Sequence, residues 1–243
     1  MRNTQSWRFR VLRQAQTIEL RPTQTAHCRM ATRAAALCTS PAARCFNMRL
    51  AVAVAGRHPV VQLLPDPDQP LLLAAPSSIT VRRSVCSSLP RRRSASQPAD
   101  PAYRAELAQR AAGGRDTEGI PDSALGRRSP DSPTPVRDFA PGRPAPQRYE
   151  WFEDSPQLTV LSTHSGGRLD WLRAGQALQR VLLTATDREI AVSPLTQPLE
   201  TADAWLVRDP RTGSDPPQMT LRIGYGLPVS PAPRRPVAEI LDE

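Results

Sequence analysis

The chain has 243 residues, enough for one large domain or two small ones. Aromatic residues make up 5%, while 27 Pro and 12 Gly loosen the chain, so part of it can bury a core and part cannot. The net charge is +9, and with no Lys all 32 basic residues are Arg, as GC-rich coding produces; sparse aromatics beside the Arg argue against a nucleic-acid stacking platform, and no apolar run is long enough to span a bilayer.

In chain order, "WRFRVLRQAQTIEL" predicts a hairpin over 7–20. Trp7, Phe9 and Val11 alternate with Arg, Gln14–Gln16 turn, and Ile18 and Leu20 alternate again. Residues 21–45 have no clear period. "FNMRLAVAVAG" predicts a helix over 46–56 closed by Gly56. "PVVQLLP" and "PLLLAA" read as short buried strands. Residues 76–101 are rich in Ser, Arg and Pro, and 115–148 read as a linker. Between them "DPAYRAELAQRAAGG" predicts a short helix with Pro101 at its start and Gly113 past its end.

From residue 149 the pattern is more regular. "PQLTVLST" predicts a strand. Asp170 is placed to cap a helix whose apolar stripe is Trp171, Ala174, Leu178, Val181 and Ala185, widened by Leu172, Leu182 and Leu183. Gly175 inside it costs about 1 kcal/mol against Ala, which close helix–helix approach would explain. Arg173 and Arg180 read as a solvated face. "DAWLV" and "QMTLRIGYG" predict further strands, with a turn at 224–226. Pro233 and Pro236 flank a final short helix, "AEILDE". Strands and helices alternate, so the class is α/β or α+β.

No acid–base or nucleophile triad, Walker loop or dinucleotide fingerprint is present, and no catalytic residue is assigned. The four Cys, at 28, 38, 45 and 86, contain no C-x-x-C pair, so no metal site is expected and free thiols are. Residues 1–99 carry 15 Arg against 3 acids, a charge of +12, while the remainder carries −3. That asymmetry leaves an Arg-rich nucleic-acid-binding protein as an alternative class, although no helix-turn-helix, zinc-finger or RNA-binding signature supports it.

The stretches "DWLRAGQALQRVLLTATDREIAVSPLTQPLE", "PQMTLRIGYG" and "PRRPVAEIL" closely resemble the C-terminal half of Acg-type nitroreductase-family proteins, FMN-binding and mostly actinobacterial, in which two nitroreductase-like halves share one chain. The likeness runs nearly without gaps over 136–243. "NTQSWRFRV" is similar to the family's flavin-site loop, with Ser6 in place of a Pro and no helix ahead of it. "FNMRLAVAVAGRHPVVQLLPDPDQPLLLA" also fits the N-terminal half. The resemblance implies an incomplete nitroreductase-like α+β fold with disordered Arg/Pro-rich segments. Its parts are a partial N-terminal half over 1–75, a low-complexity linker over 76–135, and a C-terminal half over 136–243.

By the same resemblance Asn3 and Gln5 are the amides that would meet the flavin; an ordinary polar loop is the alternative. Trp7 reads as core rather than as a stacking partner. Arg92, Arg93 and Ser94, with Arg91, resemble a phosphate clamp, against a plain charge run. Arg234 and Arg235 are a second candidate phosphate pair, against a role in holding the tail. The family implies FMN as cofactor, NAD(P)H as co-substrate, a small-molecule electron acceptor that the sequence leaves unknown, and a cytoplasmic protein without membrane contact.

Two departures imply a truncated, degenerate member with weak or no activity. An internal helical block near 94–99 is skipped. Residues 21–44 lack the family's Asp-Pro-Arg-Gly-Arg turn, yet one legal set of GC-rich codons for that stretch, read two bases over, encodes it. The expectation is that 21–44 is out of frame and that His27, Cys28 and Cys38 carry no chemistry. A non-catalytic module associating with an intact paralogue is a further alternative.

Overall fold

The computed structural model describes residues 5, 7–12, 14, 17–22, 41–56, 58–66, 68, 101, 105, 156–196, 199, 215–226 and 232–242. The hairpin forms as the alternation predicts. Strand β1 (Trp7–Leu12) pairs antiparallel with β2 (Thr17–Pro22), setting Phe9 opposite Leu20 and Val11 opposite Ile18 on one face and Arg10 opposite Glu19 on the other.

Helix α1 (Pro41–Val54) starts five residues before the predicted boundary. Pro41 supplies the pre-set φ of a first helical position, and the Ala that follow have high helix propensity. Residues 41–45, which show no clear period in the sequence, are therefore helical. Gly56 does end the helix: it takes φ +73, and its N–H bonds to the Ala53 carbonyl at 3.0 Å. "PVVQLLP" is not a strand. Val60 is 89% exposed, while Val61 packs on the β1–β2 core and Leu63 and Leu64 pack beside α1.

Strand β3 (Leu158–Ser162) matches its prediction. Helix α2 (Arg168–Asp187) matches its stripe, but its cap is Gly167 rather than Asp170. The Gly-Gly loop reaches the helix axis in extended backbone, which leaves Asp170 in the first turn. There its carboxylate accepts from Ser165 Oγ and from Arg173 Nη1 at 3.3 Å, and its charge complements the helix N-terminus. Arg173 is thus engaged and half-buried, not solvated; Arg180 is exposed as expected. Leu183, assigned to the stripe, is exposed.

Strand β4 (Ala191–Leu195) has no counterpart among the predicted elements. Pro194 disguises it. Its missing N–H is tolerated because β4 is an edge of the antiparallel sheet β3-β5-β4. Strand β5 (Pro217–Gly224) is the sheet's centre, and Gly224 is its last residue rather than part of a turn. The predicted terminal helix "AEILDE" is a correction too. Only Val237–Glu239 form a short 3₁₀ turn, after which β6 (Leu241–Asp242) pairs parallel with β1, completing the sheet β2-β1-β6.

The architecture is mixed α/β. Trp7, Leu20 and Cys45 form the core between the first sheet and α1. Leu161, Ala174, Ala177, Leu178, Met219 and Leu221 form the core between the second sheet and α2. The helices pack together through Ala42 and Leu172, and Arg49 Nη1 donates to Gln176 Oε1 at 3.3 Å. Gly175 is buried on α2. The second half of α1 leaves Leu50 and Val54 exposed. Among the described residues no helix is long and apolar enough to cross a membrane, and no group of His, Cys, Asp and Glu is placed to hold a metal. The predicted strands 70–75 and "DAWLV" lie outside the described residues; of the predicted helix after Pro101 only Pro101 and Ala105 are described, both helical, and of the segment 21–44 expected to be out of frame only 21, 22 and 41–44 are described.

Candidate functional site

The two ends of the chain meet. The segment ahead of β1 bends at Gln5, whose φ of +41 is a left-handed conformation that a residue with a long side chain adopts only at a cost. Contacts fix it there. The Trp7 N–H donates to the Gln5 carbonyl at 2.8 Å. The same carbonyl accepts from Arg235 Nη2, and Gln5 Oε1 accepts from the Arg235 backbone N–H at 3.0 Å. Gln5 is 1% exposed. Its amide is therefore enclosed and already bonded on the oxygen side.

The partner segment is held by its own chemistry. Pro233 and Pro236 restrict its path, and β6 anchors it: Phe9 N–H donates to the Ile240 carbonyl at 2.8 Å, and Phe9 lies opposite Leu241. Arg8 and Asp242 form an exposed ion pair at 2.5 Å beside this ladder. Arg235 thus ties the tail to Gln5 through hydrogen bonds from its backbone N–H and its guanidinium.

A third arginine joins them from α1. The Arg44 guanidinium lies 4.6 Å from the centroid of the Trp7 ring, a cation–π stack. Trp7 is a core residue as predicted, and its ring face also carries this cation. Burial, and then the nearby charge of Arg234, push the Arg44 pKa below its ordinary value. Cys45, one residue on, is buried, and burial pushes its thiol up to about 11 against a smaller opposing pull from Arg49.

The structure therefore brings together Gln5 and Arg235, with Arg234 beside Arg44. Asn3, Arg92, Arg93 and Ser94 lie outside the described residues. Sequence reasoning missed Arg44, because setting residues 21–44 aside as out of frame left it no role. Its spacing from Trp7 gives no signal either, since the two meet only when α1 docks on the first sheet.

A second polar cluster supports α2. Gln218 Nε2 donates to Thr163 Oγ1 at 2.8 Å, and Thr163 Oγ1 donates to the Ser165 carbonyl at 2.7 Å. With Ser165 and Asp170 these groups fix the loop that starts the helix, which is a structural role.

The comparisons with known proteins agree with the resemblance. The chain is similar to a Mycobacterium tuberculosis protein named "Putative NAD(P)H nitroreductase", 38% identical over 133 residues that cover 51% of this chain and 38% of the relative. It is similar to a second of that name, the Acg protein of the same organism, 34% identical over 151 residues that cover 58% of this chain and 44% of the relative. An uncharacterized protein of that organism is 34% identical over 110 residues, 43% of this chain and 32% of its own length. No family model matches the chain. The Acg-type nitroreductase resemblance is thereby borne out, and the chain spans less than half the length of these relatives.

Proposed function

We propose that the chain is a nitroreductase-like oxidoreductase unit that binds FMN weakly through its phosphate and turns over NAD(P)H slowly or not at all. The observation that carries this reading is the strap between Gln5 and Arg235. Two segments assigned separately to the flavin site, from opposite ends of the sequence, are joined by two hydrogen bonds.

The residues present fit one part of the cofactor better than the other. Guanidinium groups from α1 and from the tail stand near one another, which suits an anionic phosphate. The Gln5 Oε1, by contrast, is already taken by a backbone N–H, which weakens hold on a flavin ring. When bound, the flavin supplies the hydride chemistry, and the protein supplies binding and orientation. Arg234 and Arg235 would hold the phosphate, and the enclosed Gln5 loop would hold that pair in position.

Asn3, Arg92, Arg93 and Ser94 remain part of this proposal as further contacts. The protein as purified is expected to carry flavin well below one per chain and to oxidise NADH or NADPH only slowly after FMN is added. A stoichiometric yellow preparation with brisk turnover would show that the site is intact and refute the degenerate reading.

A further inference from the structure

We propose that Arg44 is the centre of a phosphate-binding site, with the Trp7 ring as its floor and Arg234 as its second cation. Arg44 occupies the first turn of α1, and its guanidinium lies flat enough on Trp7 to sit 4.6 Å from the ring centroid. Trp7 is locked in the core by Leu20 and Cys45, so the floor is rigid. Stacking uses one face of the guanidinium and leaves the N–H groups on its edge to bond in the plane.

Those N–H groups are unused. Among the described residues Arg44 makes no hydrogen bond and no ion pair, and its Nε is buried. A half-buried cation with unpaired donors is costly, and the charge of Arg234 raises that cost. Asn47 lies three residues on, on the same helix face, and its buried Oδ1 also lacks a donor. An amide can turn its Nδ2 to an anion instead. Two guanidinium charges and an amide suit a dianion of tetrahedral shape, which at neutral pH is a phosphate group. The source is either free phosphate or a phosphate ester; for the ester's identity the inference rests on the flavin reading above.

The test is thermal unfolding of the full chain in phosphate, in FMN and in riboflavin, with chloride at matched ionic strength as reference. Wild type is compared with Arg44→Gln and Arg44→Lys. Phosphate is expected to raise the wild-type midpoint, and affinity is expected to fall roughly ten- to a hundredfold in Arg44→Gln, with Arg44→Lys only partly rescuing it. In chloride alone Arg44→Gln is expected to unfold no lower than wild type, because it removes an uncompensated charge; that result also certifies that the variant folds. FMN binding that weakens with Arg44, with riboflavin unaffected, identifies the ester. Phosphate binding without FMN binding supports the site with free phosphate and removes the flavin reading. FMN bound equally by all three proteins overturns the inference while leaving the flavin reading standing. No stabilisation by phosphate or FMN overturns it outright.

Discussion

Cys45 and Arg44 are sequence neighbours with opposite surroundings. Cys45 points into the Trp7–Leu20 core, and burial raises its pKa from an ordinary 9.0 to about 11. The folded state therefore holds the proton longer than the unfolded state does. Stability from this source is complete below pH 9.0 and is lost as pH rises toward about 11, a loss of about 3 kcal/mol at most. Chemical denaturation at pH 8 and pH 10.5 should show that fall, and Cys45→Ala should flatten it. A native thiol that reacts as fast as in denaturant would contradict the burial. The Arg235 contacts offset the cost of the left-handed Gln5 backbone; Arg235→Ala removes the guanidinium bond but keeps the backbone one, so it is expected to cost roughly 1–3 kcal/mol and to loosen the segment ahead of β1, readable by amide exchange at Trp7.

At the scale of elements, α2 and its sheet carry the second core. Leu178 is 1% exposed among Ala174, Met219 and Leu221, so Leu178→Ala should cost about 2–5 kcal/mol in a denaturant titration. Gly56→Ala has open space around the new Cβ yet forces φ +73 on an L-residue, and is expected to cost about 1 kcal/mol. The elements that were legible in the sequence share one trait: their pattern is local. The hairpin shows a period of two, α2 a period of three to four, and β5 the alternation of Met219, Leu221 and Ile223 between a Pro and a Gly. The missed elements depend on partners far away in sequence. Strand β4 hides behind Pro194, which only an edge position tolerates, and β6 exists because β1 offers a free side. "PVVQLLP" is apolar enough for a strand, but among the described residues no strand pairs with it, and it serves as coil that packs on two cores. Asp170 looked like a cap because Gly167, which does the capping, has no side chain to reveal it.

Across the whole molecule, two helix-on-sheet layers meet through α1 and α2, and the tail crosses to complete the first sheet. The proposed site draws on three places: the segment before β1, the first turn of α1 and the segment before β6. The resemblance named residues in two of them, Gln5 and the Arg234–Arg235 pair, and the structure joins Gln5 to Arg235. Arg44 was not legible, because only docking of α1 brings it to Trp7. The measurement that tests the account most directly is an equilibrium titration of the full chain with FMN and with riboflavin, read by flavin fluorescence. If the phosphate carries the binding, FMN should bind at least about tenfold more tightly than riboflavin. Equal affinities, or no binding of either, would contradict the claim that the joined ends form a flavin-phosphate site.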